Sequence, residues 1–170
     1  DTVWNVDEKH VSMRVKVDEG KKYYVRNITW VGNTVYNTDY LAAVLGMKKG
    51  DVYNQKLMNK RLTEDEDAVG NNYWNNGYLF YSLHPTEVNI VGDSIDFEMR
   101  IFEGPQAHIN HVRINGNDRL YENVVRRELR TKPGDLFSKE ALQRSAREIA
   151  SMGHFDPEKV NHDVKPDPEN

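Results

Sequence analysis

The stretch Val11-Ser12-Met13-Arg14-Val15-Lys16-Val17-Asp18-Glu19-Gly20 returns at an offset of 84 residues as Ile95-Asp96-Phe97-Glu98-Met99-Arg100-Ile101-Phe102-Glu103-Gly104. Val11, Met13, Val15 and Val17, like Ile95, Phe97, Met99 and Ile101, alternate with polar neighbours, so each stretch reads as a strand with one buried face. The same offset of 84 relates Gly32-Asn33 to Gly116-Asn117, Leu41 to Val125, Leu45 to Leu129, Gly50-Asp51 to Gly134-Asp135, and Tyr53 to Phe137. One shift serving so many separated pairs marks a tandem repeat. The offset then falls to 76, where Gly77-Tyr78 corresponds to Gly153-His154. The first copy therefore carries about eight extra residues, roughly two turns if they are helical.

Each copy follows one plan. Tyr24 to Val31 and His108 to Asn115 are predicted strands, with Ile28/Trp30 and Val112/Ile114 on one face, and Gly-Asn ends each. Short helices follow near Thr38 to Leu45 and Glu122 to Leu129, stopped by Lys48-Lys49-Gly50-Asp51 and Lys132-Pro133-Gly134-Asp135. Second helices open at the N-caps Asn54 and Ser138. The first shows Met58, Leu62, Val69 and Tyr73 at helical spacing, the second Leu142, Ile149 and Met152. Copy one continues as a hairpin, Glu87 to Val91 and Ser94 to Phe102, turning at Gly92-Asp93. The unit is β-α-α-β-β. Because a right-handed crossover sets strand one parallel to strand three, strand two becomes an edge of a three-stranded mixed sheet with two helices on one face. The fold class is α+β.

This period divides the chain. Residues 1 to 21 match only the closing strands of a preceding unit, with a hairpin partner for Val11–Val17 around Thr2 to Val6. Residues 22 to 104 form a complete unit, and 105 to 170 a following one that has a possible strand at Val160 to Lys165 but no counterpart of Ile95–Ile101.

Composition excludes several functions. The chain has 170 residues, 23 Lys+Arg against 27 Asp+Glu, and no cysteine. A net charge of −4 without a basic stripe argues against nucleic acid as a partner. No apolar run approaches the roughly 18 residues of a spanning helix, and residues 1 to 20 are charged and alternating rather than a signal peptide. Disulfides, thiolate catalysis and Cys-zinc sites are excluded. No Gly-x-Ser-x-Gly, phosphate loop or dinucleotide fingerprint occurs, so the reading is of a non-enzyme without catalytic, cofactor or metal site. Asp65-x-Asp67-x-Val69-Gly70 departs from a calcium loop, with Val69 at position five and Asn76 at position twelve instead of a bidentate Glu. His108 and His111, three apart on a predicted strand, would point to opposite faces.

A β-α-α-β-β unit of about 80 residues in tandem, with Gly-Asn after strand one, Gly-Asp before helix two and Glu-Gly closing strand three, resembles the POTRA (polypeptide-transport-associated) domain. Pro133-Gly134-Asp135-Leu136-Phe137-Ser138 and Ser151-Met152-Gly153-His154-Phe155-Asp156 are similar to the wording of BamA-type outer-membrane assembly factors. The resemblance covers the whole chain. Residues 64–67 and 71–76 in the long second helix region depart from the pattern. The resemblance implies a place on the periplasmic side of the Gram-negative outer membrane. It implies unfolded outer-membrane proteins and accessory lipoproteins as partners, and contact with the membrane only through a barrel outside this sequence. A POTRA scaffold of a two-partner secretion or cell-division system is the alternative.

Two candidate sites follow. An edge strand recruits an extended peptide through main-chain hydrogen bonds that tolerate varied sequence. The candidate client-binding edge is Glu87, Val88, Asn89, Ile90 and Val91, with Val88 and Ile90 expected inward and Glu87, Asn89 and Val91 outward; Pro85 nearby would blunt it. The candidate partner patch is Tyr73, Trp74 and Tyr78, although the helical spacing of Tyr73 also suits a core position.

Overall fold

A computed structural model describes residues 2–7, 10–17, 20–118 and 120–165. The leading hairpin pairs β1 (Thr2–Asp7) antiparallel with β2 (His10–Arg14) as a separate two-stranded sheet. The first unit contains β3 (Tyr24–Val31), α1 (Thr38–Leu45), α2 (Gln55–Asn59), α3 (Val69–Trp74), β4 (Ser82–Val91) and β5 (Ser94–Phe102). Its sheet has the order β3-β5-β4, with β5 parallel to β3 and antiparallel to β4. The edge position expected for strand two is therefore observed.

The alternation that began the sequence reading builds the core. Ile95, Phe97, Met99 and Ile101 of β5 are buried on the face toward the helices, while Asp96, Glu98 and Arg100 lie on the other. Asp96 pairs with Arg26 of β3 on that outer face. Leu41 and Leu45 from α1, Met58 and Leu62 from the second helical region, and Val69 and Tyr73 from α3 close over β5. Each fully buried apolar side chain of this kind contributes about 1.5–3 kcal/mol relative to exposure. Asn37, Asn54 and Ser138 cap α1, α2 and α5 (Lys139–Ser151), accepting from the N–H groups of Tyr40, Leu57 and Ala141.

The extra residues of copy one do not add two turns to a continuous helix. Instead α2 widens into a π-helical turn, Lys60–Glu64, where the Asp65 N–H bonds the Lys60 carbonyl, and the chain breaks before restarting as α3. Asp disfavours a helix interior because its carboxylate competes for local partners. Here Arg61 takes both carboxylates, at 3.2 Å to Asp65 and 2.8 Å to Asp67, and also donates to the Val44 carbonyl. The hydrogen bond from Arg61 holds the Asp67 carboxyl below the ordinary range. Residues 65–67 form a turn clamped by Arg61.

The second unit departs from expectation. Between 108 and 115 only His108 is bridged, to Leu136, and Val160–Lys165 forms no strand. α4 is short, Glu122–Arg126, whereas α5 runs its full 13 residues. The cause lies in the strand order: in the first unit β5 is the middle strand and supplies both ladders. Among the described residues the second unit has no equivalent of β5, so its flanking segments have no ladder to join. The opposite-face argument for His108 and His111 lapses with the strand. Among the described residues no three His, Asp or Glu side chains gather as metal ligands, and no helix is long and apolar enough to cross a membrane.

Candidate functional site

β4 is ten residues long, and from His84 to Val91 every residue is exposed. Its partner β5 covers only one of its two rows of main-chain groups, because β4 ends the sheet. A bulge interrupts the ladder between Glu87, opposite Phe97, and Asn89, opposite Asp96. Val88 is the extra residue, and the alternation shifts by one across it. Glu87 therefore shares a face with buried Phe97, and its charge helps raise the Tyr53 phenol, which burial raises most. The expectation of Glu87 outward and Val88 inward is corrected by this bulge. Ile90 does sit opposite buried Ile95, but at the open edge it stays 51% exposed; Val88 and Val91 are 58% and 52% exposed. Pro85 lies within the strand opposite Met99 and contributes no N–H, as is tolerated at an edge. The surface so formed is a row of main-chain groups flanked by three half-exposed aliphatic side chains.

The aromatic patch is not a surface. Tyr73 is completely buried, stacks on Tyr81 and donates its hydroxyl to Glu103 Oε1 at 3.0 Å. Tyr78 packs edge-on against Tyr73. Trp74 is half-buried under Lys139 Nζ, 4.3 Å from its ring centre. Helical spacing identified Tyr73 as an inward position; what sequence could not show is the hydroxyl's partner 30 residues away.

Glu103 was legible only as half of a Glu-Gly motif, yet it organises the unit. Its carboxylate accepts from the Thr34 and Val35 N–H groups at 2.9 and 3.0 Å, from the Thr34 hydroxyl, and from Tyr73. Burial pushes its pKa up, but these donors outweigh burial and hold the carboxyl below the ordinary value. The end of β5 is thus tied to the loop that follows Gly32-Asn33 and to α3.

The joint between the two units is held by hydrogen bonds on both sides of Gly104-Pro105. The Ala107 N–H bonds the Gly77 carbonyl at 2.8 Å, and Gln106 Nε2 bonds the Asn76 carbonyl at 3.0 Å. Lys139 reaches Asn71 Oδ1 at 2.9 Å, while Asn75 Oδ1 accepts from the Glu140 N–H in the first turn of α5. Desolvation by burial lowers the Lys139 pKa. Trp74, Leu79, Phe137 and Lys139 line a cleft of about 290 Å³ beside this joint.

Comparison with known proteins follows from this geometry. The POTRA family profile, described as "surface antigen variable number repeat", matches residues 23–104 and again 107–170. Outer membrane protein assembly factor BamA of Neisseria meningitidis serogroup B is 29% identical over 154 residues, covering 89% of this chain and 19% of the relative. BamA of Nitratidesulfovibrio vulgaris is 25% identical over 150 residues, 88% of this chain and 19% of that protein. The chain thus spans about a fifth of the length of these relatives. The crystal structure of Haemophilus influenzae BamA POTRA3-5 superposes with a TM-score of 0.68 at 16% identity, covering 81% of this chain and 54% of that one. At that identity the likeness is one of fold.

Proposed function

The chain belongs to the POTRA family, and from that premise we propose that it is part of the periplasmic array of an outer-membrane protein assembly factor, where β4 receives extended segments of unfolded clients. The division into closing strands at 1–21, a complete unit at 22–104 and a following unit at 105–170 is part of this reading. Its role is non-enzymatic, and accessory lipoproteins of the assembly machinery dock on the same array.

The observation that carries the proposal is the open edge of β4 with Val88, Ile90 and Val91 more than half exposed. A client with alternating apolar residues gains main-chain hydrogen bonds along that edge and places its own apolar side chains beside these three. The bulge at Val88 and the imino group of Pro85 limit the length of the ladder. Binding is then weak and releasable, as handing a client onward requires.

The test uses a synthetic peptide of alternating apolar residues taken from a membrane β-strand, titrated by calorimetry against the whole chain. Asn89→Pro, and independently Val88→Lys, should weaken binding at least several-fold while the far-ultraviolet circular dichroism and thermal midpoint stay close to those of the parent. Unchanged affinity in both folded variants removes β4 as the site.

A further inference from the structure

On the face that the helices cover, the side chains of the first unit's sheet line up in rows, one residue from each strand. Ile28, Phe97 and Glu87 form the middle row. Val25, Ile95 and Ile90 lie on one side of it, and Trp30, Met99 and Pro85 on the other. Val25, Ile95, Phe97 and Met99 are at most 3% exposed, and Ile28 and Trp30 pack against the same core. In these three rows Glu87 alone is polar, a carboxylate at the open end of the middle one.

The reverse face would suit a charge better, since Asn27, Asp96 and Asn89 share one row there and Thr29, Glu98 and Thr86 another. The bulge at Val88 is what turns Glu87 to the apolar side. The two carboxylates of β5 are both neutralised, Asp96 by Arg26 and Glu98 by Arg100. Glu87 forms no ion pair among the described residues. Its charge is felt instead by Tyr53, whose ring centre lies 4.8 Å from that of Phe97 and whose phenol is raised first by burial and then by Glu87.

A strand added to β4 lengthens every row by one side chain. Opposed side chains on neighbouring strands stand about 4.5–5.5 Å apart at Cβ, so the newcomer in the middle row becomes the nearest neighbour of Glu87. An acidic newcomer repels it, and a neutral one removes water from the carboxylate without replacing the lost interactions. A Lys or Arg pairs with it and lays its methylene stem along the apolar row. Taking β4 as the receiving edge, we propose that the Glu87 carboxylate selects among clients, favouring extended segments that place a Lys or Arg beside it and apolar residues beside Pro85 and Ile90.

The competing role for such a charge is to block pairing at an exposed edge altogether. Three synthetic peptides of one alternating sequence, with Lys, Gln or Glu at the centre of the apolar row, separate the two roles. Each is titrated by calorimetry against the whole parent chain and against Glu87→Gln, Glu87→Lys and Asn89→Pro, with circular dichroism and the thermal midpoint verifying each fold. The parent should bind the Lys peptide about three-fold more tightly than the Gln peptide and about ten-fold more tightly than the Glu peptide, less so at high salt. Glu87→Gln should bring the three affinities together, and Glu87→Lys should reverse their order. Equal affinities for the parent, or a Lys preference that survives Glu87→Gln, overturn selection by Glu87. A gain of the same size for all three peptides in Glu87→Gln also overturns it, leaving the carboxylate as a block. In each of these cases β4 stands as the receiving edge provided that Asn89→Pro weakens every peptide; if Asn89→Pro weakens none, the edge and its selectivity fall together.

Discussion

The two POTRA units make the same turn and differ in everything that depends on a third strand. In the first, the Lys48 N–H bonds Asp51 Oδ2 at 2.7 Å, Gly50 N–H bonds the Val25 carbonyl, and Val25 N–H bonds the Asp51 carbonyl. In the second, Lys132, Asp135, Gly134 and Ile109 repeat those bonds, with Lys132 to Asp135 Oδ2 at 2.9 Å. The bridges Tyr24–Val52 and His108–Leu136 also correspond. Yet one unit has an eight-residue strand after that bridge and the other has none. The Lys–Asp turn is closed within four residues and its main-chain bonds reach back about 25; the ladder needs a partner about 70 residues away.

The largest expected effect separates the buried strand from its exposed image. Met99 is fully buried in β5, and Met99→Ala should cost about 2–5 kcal/mol in urea unfolding of the first unit. Val15→Ala, at the matching position of the leading hairpin, should change that transition by no more than about 0.5 kcal/mol. Similar costs at both positions would mean that the hairpin is already packed within the chain.

Next comes the pair of loop glycines. Gly32 and Gly116 both lie at positive φ, +90° and +80°, but only Gly32 is pressed against β5. Gly32→Ala should destabilise by about 3 kcal/mol, combining the left-handed backbone with a collision against main chain, and Gly116→Ala by about 1 kcal/mol from the backbone alone. Thermal unfolding of the two variants measures the difference, and equal losses would place a strand against Gly116.

Glu103→Ala should cost the first unit about 2 kcal/mol, since it strands the donors of Thr34, Val35 and Tyr73. The same contact gives a pH dependence. The folded-state pKa of Glu103 lies below its unfolded value, so its stabilisation is complete above the unfolded pKa and is lost as the pH falls through the folded one. Stability of the first unit should decline over that acidic interval, and Glu103→Gln should flatten the decline in a series of urea titrations.

The smallest effect belongs to the second unit's surface. Arg130 grips Glu148 through two nitrogens at 2.9 Å, but the guanidinium side chain is 60% exposed. Arg130→Ala should leave the denaturant midpoint almost unchanged, and the small shift should shrink further at high salt. A larger loss in denaturant titration would show that this ion pair is shielded from solvent.

What could be read from sequence follows the same division between local and distant causes. The strand order, the boundaries of α1, and the caps Asn54 and Ser138 were legible because spacing and cap chemistry act over a few residues. The edge position of β4 followed from handedness alone. The bulge at Val88 was not legible, since it exists only in the register of β4 against β5, and it reversed the assignment of Glu87 and Val88. Tyr73 was misplaced in a surface patch because the partner of its hydroxyl lies at the far end of β5. The strand predicted from His108 to Asn115 has the right alternation without the neighbour that would make alternation a strand.

The π-helical turn at Lys60–Glu64 has a consequence for the array as a whole. The extra residues of copy one are absorbed there and in the Arg61-clamped turn, after which α3 presents Asn71, Trp74 and Asn75 to Lys139 and Glu140 of the next unit. The insertion leaves the 84-residue correspondence of the preceding turns untouched and adds its bulk at a single joint. It acts as a shim. Repeats that share every other dimension can be set at different angles to one another by the thickness of this one helical region, with no sheet redesigned.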